Sequence, residues 1–396
     1  MDVSVARPEA AEGTGPVRVS IRQGFRSALL VFLIARLTVS LLGVVGVHEH
    51  QLTGRRPDLI IAPTPGWHNA VDGTFRWDAP WFREVATQGY RLDDESAAFF
   101  PVYPLSIRSL SAVTGLPALD AGLVISNLAF LAALVVLFAL TTQEYDEHVA
   151  RRSLILITFF PTAFFFLAPY SESVYLLTSV LSFWWARRQR WGPAGVAGFA
   201  AAATRNLGFL LVIPLVIEAH RQSTSDPEGK RRRFIWACVP VLGAVSYVAY
   251  WVIRTGDPLR PIHAQGAWLR QLSFPIVTLG HGITYAVQGL TDRNGVFWTV
   301  DLALACAVLI PLAVGWRRLD RPYLVYAILG LGVPLCFTLT GRPLVSYPRY
   351  SVVIFPVFWI VATWLRDRRA MACVTAISFI GYCALAVAFM NWRPIF

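Results

Sequence analysis

Charge is scarce in this chain, and lysine is almost missing. Only 15% of its 396 residues are Asp, Glu, Lys or Arg, while 55% are hydrophobic. That shortage excludes an ordinary soluble domain, in which about a quarter of the residues are charged. Lys230 is the only lysine, so arginine carries the formal net charge of +11. The arginines stand in short connections between apolar runs rather than along one basic face. This argues against a nucleic-acid surface and fits orientation in a bilayer. Cysteine is equally sparse. Cys238, Cys306, Cys336, Cys373 and Cys383 all lie within apolar runs, without metal-type spacing. They read as small buried hydrophobes, not as disulfides or ligands. A clear internal repeat is also lacking, and the polar motifs sit at the ends of apolar runs. A transporter would show repeats and polar residues at mid-span.

What the chain has in quantity is long apolar stretches. They predict an all-α, polytopic membrane protein, with spans near 24–46, 119–141, 153–169, 173–187, 192–204, 205–219, 234–254, 296–315, 322–340, 349–365 and 371–391. That is about eleven spans. The fifth and sixth are short and meet at Thr204-Arg205-Asn206, so they read as a re-entrant pair or a tight hairpin. Residues 1–22 are polar and rich in Pro, Gly and Ala, and read as a disordered tail. The first apolar run is too long for a signal peptide and reads as a retained helix. Residues 23–396 then form one transmembrane domain.

Basic clusters occur at Arg18–Arg26, Arg151–Arg152, Arg187–Arg190, Lys230–Arg233, Arg317–Arg321 and Arg366–Arg369. With the N-terminus in the cytoplasm and this span count, every cluster falls on the cytoplasmic side. The opposite face receives the long loop 47–118, the corners at Tyr170-Ser171-Glu172 and Thr204-Arg205-Asn206, and the loops 255–295 and 341–348. Polar motifs therefore converge on one extracytoplasmic face, and the membrane is expected to be a plasma membrane.

The first of these loops contains Arg76-Trp77-Asp78-Ala79-Pro80-Trp81. Asp78 suits a helix N-cap, Pro80 a first turn and Gly89 a stop, which predicts a short helix over 78–88. Trp81, Phe82 and Val85 make an apolar stripe suited to the bilayer surface, and Phe99–Val113 reads as a second interfacial segment. Asp78 has two readings, a helix cap or a reactive carboxylate held at headgroup depth by Trp77 and Trp81. Both stay open on the residues alone. Glu172 is either a substrate-orienting acid or an acid favouring a helix N-terminus. Asp257 reads as a turn former. His263, Gln265 and Trp268 suit either a sugar pocket or loop packing. Arg36 and Asp301 stand within spans and must find partners or water. His48 and His50 lack accompanying ligands, and Asp93, Asp94 and Glu95 read as a solvated loop tip, so no metal site is expected.

Several of these segments together resemble a family. Trp77-Asp78-Ala79, Gly89-Tyr90 and Ala98-Phe99-Phe100-Pro101 are similar to the first luminal loop of the PIG-V-type mannosyltransferases of the GT-C superfamily. Pro161–Phe165 with Ala168–Ser173, Ala203–Gly208, Gly256-Asp257-Pro258 with Gln265 and Trp268, and Pro348-Arg349-Tyr350 with Phe355-Pro356 follow in family order. The resemblance implies a GT-C-like fold and transfer of mannose from a polyprenyl-phosphate-linked donor to a glycan or glycolipid acceptor, without a divalent metal. It puts Asp78 forward as general base. Arg205 and Arg349 are then candidate phosphate ligands, though either could be an interfacial anchor or a salt-bridge partner. Trp77, Trp81, Tyr170, Glu172, Gln265, Trp268 and Tyr350 become candidate substrate contacts. The arginine-rich composition suggests a bacterial member. A lipid or glycan transporter and a non-catalytic subunit of a glycosylation complex remain competing readings.

Overall fold

The computed structural model describes residues 21–48, 61–222, 226–290 and 295–393. The expected tail at 1–22 falls almost wholly outside these residues, as does His50.

The described residues open with a long helix, α1 (Ile21–Gly46). The first loop then carries a single turn, α2 (Asn69–Asp72), and the helices α3 (Ala79–Gln88) and α4 (Val102–Thr114). Pro80 begins α3, and Gly89 ends it at φ 83°, a backbone conformation that disfavours any side chain. The Trp81–Phe82–Val85 stripe does not lie wholly on the bilayer. Phe82 and Val85 are 3% and 5% exposed. Phe82 packs edge-on against Tyr103, Phe99 and Tyr170. The apolar face of α3 is thus spent on the protein interior.

Next come α5 (Ala118–Glu144), α6 (Glu147–Thr158), α7 (Glu172–Arg187), α8 (Trp191–Ala202) and α9 (Val212–Arg221). Asp146 caps α6 by accepting from the Val149 amide at 2.7 Å. The expected span 153–169 is broken. Pro161 follows the end of α6, and Ala163–Leu167 forms a tighter 3-10 turn. The break frees the chain to turn at Tyr170 and start α7 at Glu172. The 192–219 segment is a hairpin: α8 ends at Ala202, and a 3-10 turn over Asn206–Leu211 leads into α9.

α10 (Pro227–Thr255) is capped by Asp226, whose carboxylate accepts from two backbone amides. It packs tightly on α8. A Cβ on Gly243 would stand 2.4 Å from the Phe199 carbonyl oxygen, so only glycine permits this approach. The short α11 (Arg260–Gln265) and α12 (Pro275–Gly289) precede α13 (Val296–Gly315) and α14 (Arg321–Leu335). The chain ends in α15 (Tyr347–Ser351), α16 (Pro356–Trp364) and α17 (Arg368–Met390).

One small feature stands outside the helices. Strands β1 (Arg270–Leu272) and β2 (Phe337–Leu339) pair antiparallel, with Gln271 opposite Thr338. The expected span 322–340 therefore stops as a helix at Leu335, just after Pro334 removes a backbone donor.

The stretches 23–46, 118–144, 227–255, 296–318 and 368–390 are five helices long and apolar enough to cross a membrane. The remaining expected spans are shorter or broken helices. The chain is a multi-pass membrane protein by this measure. Its charges collect at two ends. Arg187, which closes α7, meets Glu144 at the end of α5, Glu218 of α9 at 3.2 Å and Asp320 before α14 at 3.0 Å. Glu172, which opens α7, meets other partners. The two ends are separated by the 16 residues of α7, roughly 24 Å of helix.

Charges within the spans find partners. Arg36 donates to the Leu167 and Ala70 carbonyls at 3.2 and 2.6 Å, tying α1 to the first loop. Asp301 pairs with Arg342 at 2.7 Å. The Asp93–Glu95 tip is not wholly solvated: Asp94 is 7% exposed and accepts from the Ser96 amide at 2.8 Å.

Candidate functional site

Trp77 sets the geometry. Its φ of 58° puts a non-glycine residue in the left-handed region, at a cost of about 1–3 kcal/mol. Its ring is held in place by an Nε1 bond to the Phe389 carbonyl at 3.3 Å and by contact with Trp392, centroids 5.2 Å apart. The chain then turns into α3 at Asp78. Asp78 occupies the N-cap position, but its carboxylate makes no capping bond. The cap reading therefore fails for the side chain. Backbone contacts fix the residue instead. The Asp78 amide donates to the Tyr170 hydroxyl at 2.9 Å, and that hydroxyl donates to the Arg76 carbonyl at 2.8 Å. Arg76 is itself buried, with Nε donating to the Met390 carbonyl at the end of α17. It serves that helix terminus rather than a substrate.

The Asp78 carboxylate turns to Arg349 of α15, which donates from Nη1 to Oδ2. The same guanidinium donates from Nε to Oε1 of Glu172. Arg205, at the corner after α8, reaches that Glu172 oxygen from Nη1 at 2.6 Å. One buried carboxylate thus aligns two arginines brought from distant parts of the chain. Glu172 is fully buried, and its Oε2 has no partner among the described residues. The Arg349 guanidinium also lies over the rings of Tyr170 and Phe165, 4.6 and 5.0 Å from their centroids. Stacking and bidentate bonding of this kind suit arginine and not lysine.

Above this network opens a cavity of about 260 Å³. That is slightly below the range of small-ligand pockets, roughly 300–1,000 Å³. Trp77, Asp78, Tyr170, Arg205, Gln265, Trp268, Arg349 and Tyr350 all line it, so most of the residues picked from the sequence do converge. Two do not reach it. Trp81 stands behind the wall, stacked on Phe99 at 5.6 Å and edge-on to Trp268 at 6.1 Å. Glu172 lies beneath the floor, so it orients arginines and does not itself contact a ligand. Asp78 is the one carboxylate lining the cavity among the described residues, and its side chain is 27% exposed.

Asp257 behaves as the turn former expected. Its carboxylate accepts from the Leu259 amide at 2.8 Å and pairs with His263, which is exposed and does not line the cavity. Among the described residues no group of three or more His, Cys, Asp or Glu is placed to hold a metal.

Sequence reading missed Arg270. It stands on β1, lines the cavity, and donates from Nη2 to the Tyr350 hydroxyl at 2.7 Å. The Tyr350 ring has Arg270 and Arg205 over it, at 5.3 and 5.2 Å from its centroid. No motif marks Arg270. The available signal was an arginine on the face where short loops carry few.

Residues 52–215 match the family described as Mannosyltransferase (PIG-V). This stretch holds Asp78, Tyr170, Glu172 and Arg205 but ends before Arg270 and Arg349. The chain is 29% identical over 170 residues to GPI mannosyltransferase 2 of Cryptococcus neoformans var. neoformans, across 40% of this chain and 38% of that protein. It is 26% identical over 120 residues to GPI mannosyltransferase 2 of Drosophila pseudoobscura pseudoobscura, across 28% and 26% respectively. It thus spans under two fifths of the length of these curated relatives. Among solved structures, the crystal structure of ArnT from Cupriavidus metallidurans bound to undecaprenyl phosphate superimposes over 91% of this chain and 64% of that one. The TM-score is 0.50 at 14% identity. That likeness is one of fold, and it agrees with the GT-C-like architecture that the motifs implied.

Proposed function

We propose that this protein is a membrane glycosyltransferase that moves a sugar, mannose by family likeness, from a polyprenyl-phosphate-linked donor to a hydroxyl of a glycan or glycolipid acceptor. The observation that carries the proposal is a single accessible carboxylate, Asp78, sharing one cavity with Arg205, Arg270 and Arg349. A carboxylate can take the proton of an attacking hydroxyl, and guanidiniums can stabilise a departing phosphate. The aromatic walls, Trp77 and Trp268 among them, suit the faces of a sugar ring. The ArnT structure, which holds undecaprenyl phosphate, makes a lipid-phosphate donor reasonable for a chain of similar fold.

In the proposed reaction the acceptor oxygen bonds to the anomeric carbon as that carbon's bond to the phosphate oxygen breaks. The electron pair leaves with the phosphate, and the hydroxyl proton passes to Asp78. A single displacement inverts the anomeric configuration. Arg205 and Arg349 serve the phosphate, Gln265 and Tyr350 the substrate's polar groups, and no divalent metal is assigned a role. The cavity end of the bundle faces away from the cytoplasm, since the basic clusters gather at the opposite helix ends. We take the membrane to be the plasma membrane, with about eleven crossings when broken helices are counted with the long ones.

The test is transfer of radiolabelled mannose from polyprenyl-phosphate mannose into membrane glycolipid and glycan. Asp78→Asn should lower kcat by about 10²–10⁴-fold, the usual contribution of a general base. Equal incorporation by both proteins would rule Asp78 out as the base.

A further inference from the structure

The two arginines singled out by the motifs are not the free positive charge of this site. Arg349 is bonded to both Asp78 and Glu172, and Arg205 is bonded to Glu172. Arg270 has no carboxylate partner among the described residues. Its one side-chain hydrogen bond there is to the Tyr350 hydroxyl. Three guanidiniums against two carboxylates leave one net positive charge, and Arg270 is the residue that carries it.

We propose that Arg270 is the anchor for the donor's phosphate, holding it before reaction begins. This rests on the transferase reading above. A sugar linked through a phosphodiester carries one negative charge, which matches the free guanidinium. Arg349 serves less well at that stage, because its Nε and Nη1 are bonded to Glu172 and Asp78. Its turn comes during transfer. As the acceptor proton reaches Asp78, that carboxylate becomes neutral and stops compensating Arg349. The cavity then holds two net positive charges. The leaving phosphate monoester carries up to two negative charges once the bond to the sugar is broken. Charge therefore balances before and after: Arg270 faces the donor, and Arg270 with Arg349 faces the product.

The position of Arg270 fits this duty. β1 and β2 hold it in a backbone ladder, and Tyr350 follows Arg349 in sequence. The hydroxyl of Tyr350 thus ties the anchor to the element that carries Arg349. Glu172 has the complementary task of fixing Arg205 and Arg349, whereas among the described residues no carboxylate pairs with Arg270.

Binding and turnover separate the two roles. The full-length protein in lipid nanodiscs is titrated with polyprenyl-phosphate mannose, and Arg270→Gln, Arg270→Lys and Tyr350→Phe are compared with wild type. Arg270→Gln should weaken binding by at least about tenfold, the loss of one hydrogen bond to a charged group. It should raise the donor KM in step while kcat stays within a few-fold. Arg270→Lys should recover part of the affinity, and Tyr350→Phe should weaken binding less than Arg270→Gln. Melting temperatures like that of wild type show that the variants are folded. Unchanged donor affinity in folded Arg270→Gln overturns the proposal, as does a fall in kcat at unchanged KM. If wild type binds the lipid with the expected dependence on Arg270 but transfers no sugar, the anchor stands and the transferase reading fails. If wild type does not bind the lipid, the anchor fails.

Discussion

Replacing Glu172 by glutamine tests the core of the site. The side chain keeps its size and one acceptor oxygen, but the charge that holds Arg205 and Arg349 together is lost. Glu172 is fully buried, so water cannot take over its role. Arg205 and Arg349 would then face each other beside Arg270, with Asp78 as the one acid left in the network. Removing one partner of a buried ion pair costs about 3–5 kcal/mol. Coulomb's law agrees, since one charge pair at contact distance is worth about 4 kcal/mol at an effective dielectric constant of 20. For a chain of this size, 3–5 kcal/mol corresponds to a fall in melting temperature on the order of 5 °C. Thermal unfolding of purified protein in nanodiscs measures it. The double variant Glu172→Gln with Arg205→Gln restores the charge count and should regain at least about 1 kcal/mol relative to the sum of the single effects. A melting temperature for Glu172→Gln within a degree of wild type would refute the reasoning. So would strict additivity in the double variant.

Two further predictions concern the opposite end and the orientation of the bundle. Partial burial works to raise the Asp320 pKa, but hydrogen bonds and charge from Arg221 and Arg187 outweigh it and hold the carboxyl below its usual 3.8. A depressed acid stabilises the fold above its unfolded pKa, and the contribution disappears as pH falls through the lower folded value. Asp320→Asn should therefore lower stability slightly near neutrality, by about 1 kcal/mol or less for so exposed a pair, and flatten the decline below about pH 4. Melting curves from pH 3 to 7 that run parallel to wild type would contradict this. For orientation, a His263→Cys variant in a background lacking the native cysteines should react with a membrane-impermeant maleimide from outside intact cells. Labelling that requires permeabilised cells would place the cavity on the cytoplasmic side.

The legible part of the site was the part carried by local pattern. Trp77-Asp78, Tyr170, Arg205, Arg349 and Tyr350 each sit in a recognisable segment at the end of an apolar run, and the structure gathers them around one cavity. Roles were less legible than membership. Glu172 looked like a helix-terminus acid or a substrate ligand, and it proves to be a buried counterion. Asp78 looked equally like a cap, and only the direction of its carboxylate settles that. Arg270 went unseen because its importance depends on a three-residue ladder with β2 and on its place in the cavity wall. Neither is a property of its sequence neighbours. The stripe on α3 has the right period for an interfacial helix, yet Phe82 turns inward, since periodicity defines a face but not what covers it.

Composition and apolar run length alone determined that this chain lives in a membrane, because a hydrocarbon core accepts little else. The placing of arginine led to the expectation of which ends of the runs share a face. Tertiary structure alone decided which charges cancel. Pairing between Asp78, Glu172, Arg205 and Arg349 joins residues far apart in sequence, and in a buried site electrostatics depends on distance and burial rather than on order along the chain.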